Sequence, residues 1–152
     1  MVTILLGSKT DLEWGKEIAK YLEIFGIMYK IRIASAHKTP EHLLNIVKDG
    51  KEVTVYICVA GRSNALGGFV DANTNKPVIN CPPPSEKYAG LDILSSLRMP
   101  SGVAPLTVLE PEQAALSAAK IIGLTSEEVK NKVEEYRKKV KESIINADIN
   151  QS

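Results

Sequence analysis

The sequence predicts an α/β domain, a parallel sheet of five strands with helices on both faces. Three observations carry that reading. Five short apolar runs, beginning at Val2, Tyr29, Val53, Pro77 and Leu106, alternate with helix patterns. Two of the runs, Val2–Leu6 and Val53–Val59, are apolar almost throughout, as strands covered on both faces must be. Tyr29–Ile33 instead alternates Lys30 and Arg32 with Ile31 and Ile33, the mark of a half-exposed strand near a sheet edge.

Each element has local reasons. Val2–Leu6 stops at Gly7-Ser8-Lys9-Thr10-Asp11. Thr10 and Glu13 form a capping-box pattern, and Leu12, Ile18, Ala19, Leu22 and Phe25 mark a helical face that Gly26 ends. After the second strand comes Ser35-Ala36-His37-Lys38-Thr39-Pro40. Thr39 suits an N-cap with Pro40 at the first helical position, and the helix carries Leu43, Leu44, Ile46 and Val47. Val53–Val59 is rich in β-branched residues and reads as a central strand. Ala60-Gly61-Arg62-Ser63-Asn64 follows it, then a helix over Ala65–Ala72 loosened by Gly67 and Gly68. Pro77–Asn80 is the fourth strand, and Cys81-Pro82-Pro83-Pro84 leaves it extended. Tyr88–Leu97 is a helix candidate and Met99–Gly102 a loop. Leu106–Leu109 is the fifth strand, and a helix from Glu110 to Ile122 starts on Pro111.

The last segment differs. Thr125 and Glu128 form another capping-box pattern. Val129, Val133, Tyr136, Val140 and Ile144 then make a narrow apolar stripe on a highly charged helix. So narrow a stripe docks on something, either its own domain or a neighbouring subunit. We therefore divide the chain into an α/β domain, 1–124, and a C-terminal helix and tail, 125–152.

An edge-like second strand and a central third strand fit the doubly wound, flavodoxin-like order 2-1-3-4-5 with right-handed crossovers. Its topological switch lies between strands 1 and 3. Ligands in such sheets bind beyond the carboxyl ends of the strands beside the switch. The polar turns after strands 1, 2 and 3 stand there.

Composition narrows the classes. The 152 residues suit one domain, large enough to bury roughly 70% of its unfolded surface. The net charge of +1 gives no general pull toward nucleic acid or anionic lipid. Met1–Leu6 lacks a basic n-region and stops at Gly7, so neither signal peptide nor membrane span is expected. Cys58 and Cys81 lack metal spacing and read as reduced, buried thiols of a cytoplasmic protein.

The turns can support definite chemistry. Gly7, Ser8, Thr10 and Asp11 offer close backbone approach, two hydroxyls and a carboxylate. Helix-start N–H groups suit a phosphate, and Asp11 suits ribose hydroxyls; an ordinary capped turn is the alternative. Ser35 can donate to a phosphate oxygen and Lys38 can supply countercharge. His37 is either a proton-transfer group or a turn histidine satisfied by backbone. His42 sits in a first helical turn with no polar cluster around it. In the third turn Arg62 can grip an anion or a partner's carboxylate, and Ser63 and Asn64 are neutral donors; a loop salt bridge plus an N-cap is the alternative. Neither phosphate-loop glycine pattern is present, nor a nucleophile elbow. With eight aromatic residues, two Phe, five Tyr and one Trp, a flavin site is weakly supported. Two histidines four residues apart do not make a metal ligand set, so neither metal nor cofactor is expected.

Taken together, Gly7-Ser8-x-Thr10-Asp11, Ser35–Pro40 and Ala60–Gly67 resemble the PurE family of purine biosynthesis. Cys81-Pro82-Pro83 and Ser95-Ser96-Leu97-Arg98-Met99-Pro100-Ser101-Gly102 extend the likeness over roughly residues 2–123. Lys38 and Arg62-Ser63-Asn64 stand where the bacterial mutase branch (class I) has arginine and a glycine-, alanine- and histidine-bearing stretch. The chain thus resembles the class II branch, the aminoimidazole ribonucleotide (AIR) carboxylases of some microbes and of the animal bifunctional enzyme. Thr39 departs from the animal form, which commonly has glycine there. At 152 residues no fused synthetase domain is expected.

The resemblance implies carboxylation of AIR at C4 by CO2 without ATP, biotin or metal, with His37 moving the proton. It implies that Ser8, Asp11, Ser35, Lys38 and Ser63 hold the ribose phosphate. Gly61 and its neighbours to Gly68 leave room for CO2. The family also implies a homo-octamer with shared sites; on net charge and the short apolar start, no nucleic-acid or membrane partner is expected. The class I mutase activity and a non-catalytic nucleotide-sensing module remain as alternatives. A nicotinate-nucleotide carboxylase is set aside, because those proteins carry a long extra N-terminal region.

Overall fold

A computed structural model describes residues 1–149. Strands β1 (Val2–Leu6), β2 (Tyr29–Ile33), β3 (Val55–Val59), β4 (Val78–Asn80) and β5 (Leu106–Thr107) form one all-parallel sheet. Their order is β2-β1-β3-β4-β5, as the edge and central patterns predict. The helices are α1 (Leu12–Ile24), α2 (Pro40–Asp49), α3 (Ala65–Asp71), α4 (Leu94–Leu97), α5 (Pro111–Ile122) and the extra C-terminal α6 (Glu127–Ile149).

Strand periodicity builds two cores. Val2, Ile4 and Leu6 of β1 and Val55, Ile57 and Val59 of β3 meet α1, α5 and the start of α6. Leu5, Tyr56 and Cys58 meet α2 and α3 on the opposite face. Each buried aliphatic side chain contributes about 1.5–3 kcal/mol, which is why both strands need apolar residues on both faces. Cys58 and Cys81 are buried and free, as expected. Burial pushes both thiols up, Cys81 to about 12.

Register positions the site. Leu6 pairs with Ile33 on one side and Val59 on the other. The three strands therefore end level, and at about 4.8 Å between strands their turns fall within roughly 10 Å. Gly7 allows the first and third turns to touch, since a Cβ there would stand 3.1 Å from the Ala60 Cβ.

Several local expectations are corrected. Ser8, not Thr10, caps the start of the first helical segment, through a 3.3 Å bond from the Thr10 N–H. Glu13 is drawn to Lys16 instead. The single helix expected over Tyr88–Leu97 is two short 3₁₀ turns, Glu86–Tyr88 and Leu91–Ile93, followed by α4. Ala89 (φ 49°) and Gly90 (φ 77°) adopt left-handed backbone and break it. Leu91, Leu94 and Leu97 have helical spacing but stay exposed, so no buried face drives a longer helix. At the start of α6, Ser126 rather than Thr125 accepts the Val129 N–H.

The stripe of α6 divides. Val129 and Val133 are buried in the α1–α5 core, and Tyr136 meets Phe25 edge-on at 5.2 Å while its hydroxyl bonds Glu112. Val140 and Ile144 are exposed. The expected tail at 150–152 lies outside the described residues. Among the described residues no helix is long and apolar enough to cross a membrane.

Candidate active site

The three level turns enclose a cavity of about 580 Å³. The first contributes Gly7, Ser8, Thr10 and Asp11, the second Ser35, His37 and Lys38, and the third Gly61, Arg62 and Ser63. Every site residue expected from the sequence lines it except Asn64.

The first two turns are wired locally. Ser8 Oγ accepts from the Thr10 N–H at 3.3 Å and from the Thr10 hydroxyl at 2.9 Å. Ser35 Oγ accepts the Lys38 N–H at 3.2 Å. Both hydroxyls are used as acceptors, which leaves their own O–H protons for an anion in the cavity. Thr39 is not a side-chain cap: its hydroxyl takes the Ser35 N–H at 2.9 Å and closes the turn on itself. Pro40 then starts α2 at its first turn, as expected.

His37 projects exposed from this closed loop into the cavity. Among the described residues no group hydrogen-bonds its imidazole, so a backbone-satisfied turn histidine finds no bond. His42 is exposed on α2 and does not line the cavity. Among the described residues no group of histidines, cysteines and carboxylates is placed to hold a metal.

Asp11 is the cavity's carboxylate. Burial lifts its pKa above the usual aspartate range; a backbone hydrogen bond at Ser8 and the charges of Lys38 and Arg62 pull it down. A desolvated carboxylate among cations suits neutral hydroxyl donors better than phosphate.

The third turn is wired differently. Arg62 has a φ of 60°, a left-handed conformation that costs a non-glycine residue about 1–2 kcal/mol. Its N–H donates to Asp92 Oδ2 at 2.9 Å, and the Asn64 N–H donates to Ser95 Oγ at 2.9 Å. Asn64, expected to hold substrate, is a framework residue. It is 2% exposed, donates from Nδ2 to Ser96 Oγ at 2.9 Å, and accepts the Gly67 N–H to cap α3. Gly67 is required beside it, because a Cβ would fall 1.7 Å from Asn80 Oδ1.

Pro83, Pro84, Ser85 and Lys87 form a fourth lining segment, which the sequence reading gives only an extended path out of the fourth strand. The signal was available: β4 adjoins β3, so the proline run leaving β4 must pass the same end of the sheet. Trp14 fixes its root by donating to the Cys81 carbonyl at 3.1 Å.

The sequence profile of the AIR carboxylase family (AIRC) matches residues 1–143. The chain belongs to the AIR carboxylase family. A phosphoribosylaminoimidazole carboxylase of Archaeoglobus fulgidus is 57% identical over 146 residues, covering 95% of this chain and 81% of that protein. The crystal structure of Treponema denticola PurE superposes with a TM-score of 0.95 at 48% identity, covering 98% of this chain and 96% of that one. The bifunctional phosphoribosylaminoimidazole carboxylase/phosphoribosylaminoimidazole succinocarboxamide synthetase of Drosophila melanogaster is 46% identical over 127 residues, 82% of this chain and 30% of that protein. The resemblance stated from the motifs is thus shown across nearly the whole chain, and with it an enzyme of the AIR carboxylase kind.

Proposed function

We propose that the chain carboxylates AIR at C4 with CO2 to give 4-carboxy-AIR. The observation that carries this reading is the convergence of three turns on one cavity, with an exposed histidine among hydroxyls and cations. Ser8, Ser35 and Lys38 hold the phosphate, Ser63 supports them, and Asp11 takes ribose hydroxyls. That remote binding fixes C4 near His37.

The AIR amino group pushes electrons through the ring, and C4 uses that pair to form a C–C bond to CO2. A CO2 oxygen takes up the displaced pair as carboxylate. The C4 proton then passes to His37, the ring double bond re-forms, and His37 releases the proton to water. The enamine supplies its own electrons, so this route calls for no ATP, metal or organic cofactor. Ala60, Leu66 and Pro83 give the cavity apolar wall suited to CO2.

A second reading is the mutase reaction on N5-carboxy-AIR. Lys38 and Arg62-Ser63-Asn64 favour the direct carboxylase, because they match the class II pattern at the motifs where the branches differ. Purified protein supplied with AIR and CO2, without ATP, should form 4-carboxy-AIR. Product from N5-carboxy-AIR alone would establish the mutase instead. Turnover with neither would leave a nucleotide-binding module. We also expect self-association to cover the exposed Val140 and Ile144 of α6, with mass measurement in solution as its check.

A further inference from the structure

The third turn meets the cavity through a residue whose backbone does not favour its own conformation. Arg62 stands at φ 60° without being glycine. Both Arg62 and Ser63 line the cavity, and the Arg62 charge reaches Asp11 across it. Asn64 Oδ1 anchors the exit of the turn by accepting the Gly67 N–H, but among the described residues no bond from within the turn holds the Arg62 backbone. The restraints come from the segment before and within α4. Asp92 Oδ2 takes the Arg62 N–H, and Ser95 Oγ takes the Asn64 N–H. Ser95 is itself fixed by donating to the Asp92 carbonyl at 2.7 Å. Ser96 holds the Asn64 amide, and Thr107 of β5 donates to the Ser96 carbonyl at 3.1 Å. The chain of bonds thus runs from the sheet to the cavity rim.

We propose that Asp92 is a positioning residue of the active site. Its carboxylate oxygen holds the Arg62 backbone in the left-handed turn that presents Arg62 and Ser63 to the substrate. Asp92 does not line the cavity, so it acts through the Arg62 N–H rather than by touching substrate. This inference rests on the carboxylase reading for its substrate, AIR. It goes beyond that reading by assigning a function to a residue outside the site.

The mechanism makes specific demands. Asp92→Ala removes the acceptor, while Asp92→Asn keeps a carbonyl oxygen for the same N–H and loses only the charge. Steady-state kinetics well below the melting temperature should show KM for AIR raised about tenfold or more in Asp92→Ala. Asp92→Asn should recover most of the loss. The pH profile of kcat should not move, because His37 lies on another turn. Glycine tolerates the left-handed backbone unaided. In an Arg62→Gly background, Asp92→Ala should therefore add less than about threefold.

Tyr136→Phe, which loses a hydrogen bond remote from the cavity, controls for stability alone and should leave KM unchanged. Should Asp92→Ala fail to fold, Asp92→Asn is read against wild type: it keeps the acceptor for the Arg62 N–H, so its KM should stay within about threefold of wild type, and a tenfold rise overturns the inference. The inference is overturned by an Asp92→Ala enzyme with KM within twofold of wild type. It is equally overturned by an Asn variant no better than Ala, or by a full-sized Asp92→Ala effect on the Arg62→Gly background. Failure of the wild-type chain to turn over AIR would sink the carboxylase reading instead. The same variants are then compared by calorimetric AIR affinity, where an unchanged affinity in Asp92→Ala overturns the inference.

Discussion

The second turn of the cavity is closed by its own atoms, whereas the third is closed by residues thirty to thirty-two positions away. In the second, Ser35 and Thr39 exchange hydrogen bonds and leave His37 and Lys38 outside the loop. In the third, Asp92, Ser95 and Ser96 hold Arg62 and Asn64. A locally closed turn can carry a reactive group without engaging the framework. A remotely closed one ties the cavity to the packing of the β4–β5 crossover. Damage to the second turn should appear mainly in chemistry and binding. Damage to the third should appear in stability as well.

The largest expected effect tests the second turn. His37→Asn should retain AIR binding and lower kcat by about 10²-fold or more, the scale of a lost acid–base group. Loss of binding in proportion to turnover would make His37 a binding residue. Next, Lys38→Ala should weaken AIR binding about tenfold while leaving the affinity of a dephosphorylated analogue nearly unchanged. An equal loss on both ligands would remove the phosphate assignment.

Ser96→Ala probes the third turn. It leaves the buried Asn64 Nδ2 without its acceptor, which costs about 1–3 kcal/mol. Thermal denaturation should show a drop of roughly 2–4 °C per kcal/mol for a domain of this size. Thr39→Val breaks an exposed local bond and should cost about 1 kcal/mol or less. If Thr39→Val destabilises as much as Ser96→Ala, the contrast between the turns is wrong.

The smallest effect concerns Asp11. Its folded pKa lies above the unfolded value because burial disfavours the charge. The group therefore favours folding below its unfolded pKa, and that contribution is lost as pH rises through the folded pKa. At pH 7 Asp11→Asn should raise the melting temperature slightly, with the gain vanishing below about pH 4. The same variant should bind AIR more weakly. No gain at pH 7 would mean that Lys38 and Arg62 offset the burial completely.

Sequence alone determined the sheet order, the five strands, the polar turns after the first three of them and all of the expected lining residues but one. These features are local: β-branched runs, strand alternation and glycine breaks declare themselves within a few positions. The same logic failed where spacing and burial part company. Leu91, Leu94 and Leu97 have helical spacing without a buried face, and Asn64 resembles an exposed N-cap donor yet sits 2% exposed. The apolar stripe of α6 is uniform in sequence, but Val129 and Val133 are buried while Val140 and Ile144 project past the end of the core. Tertiary structure alone decided that Asp92, Ser95 and Ser96 secure the third turn. A hydrogen bond spanning thirty residues leaves no periodic trace, because its geometry exists only after the sheet has aligned the strand ends. His37 needed no such alignment to be noticed, but it needed the level ends of β1, β2 and β3 to have a cavity to act in.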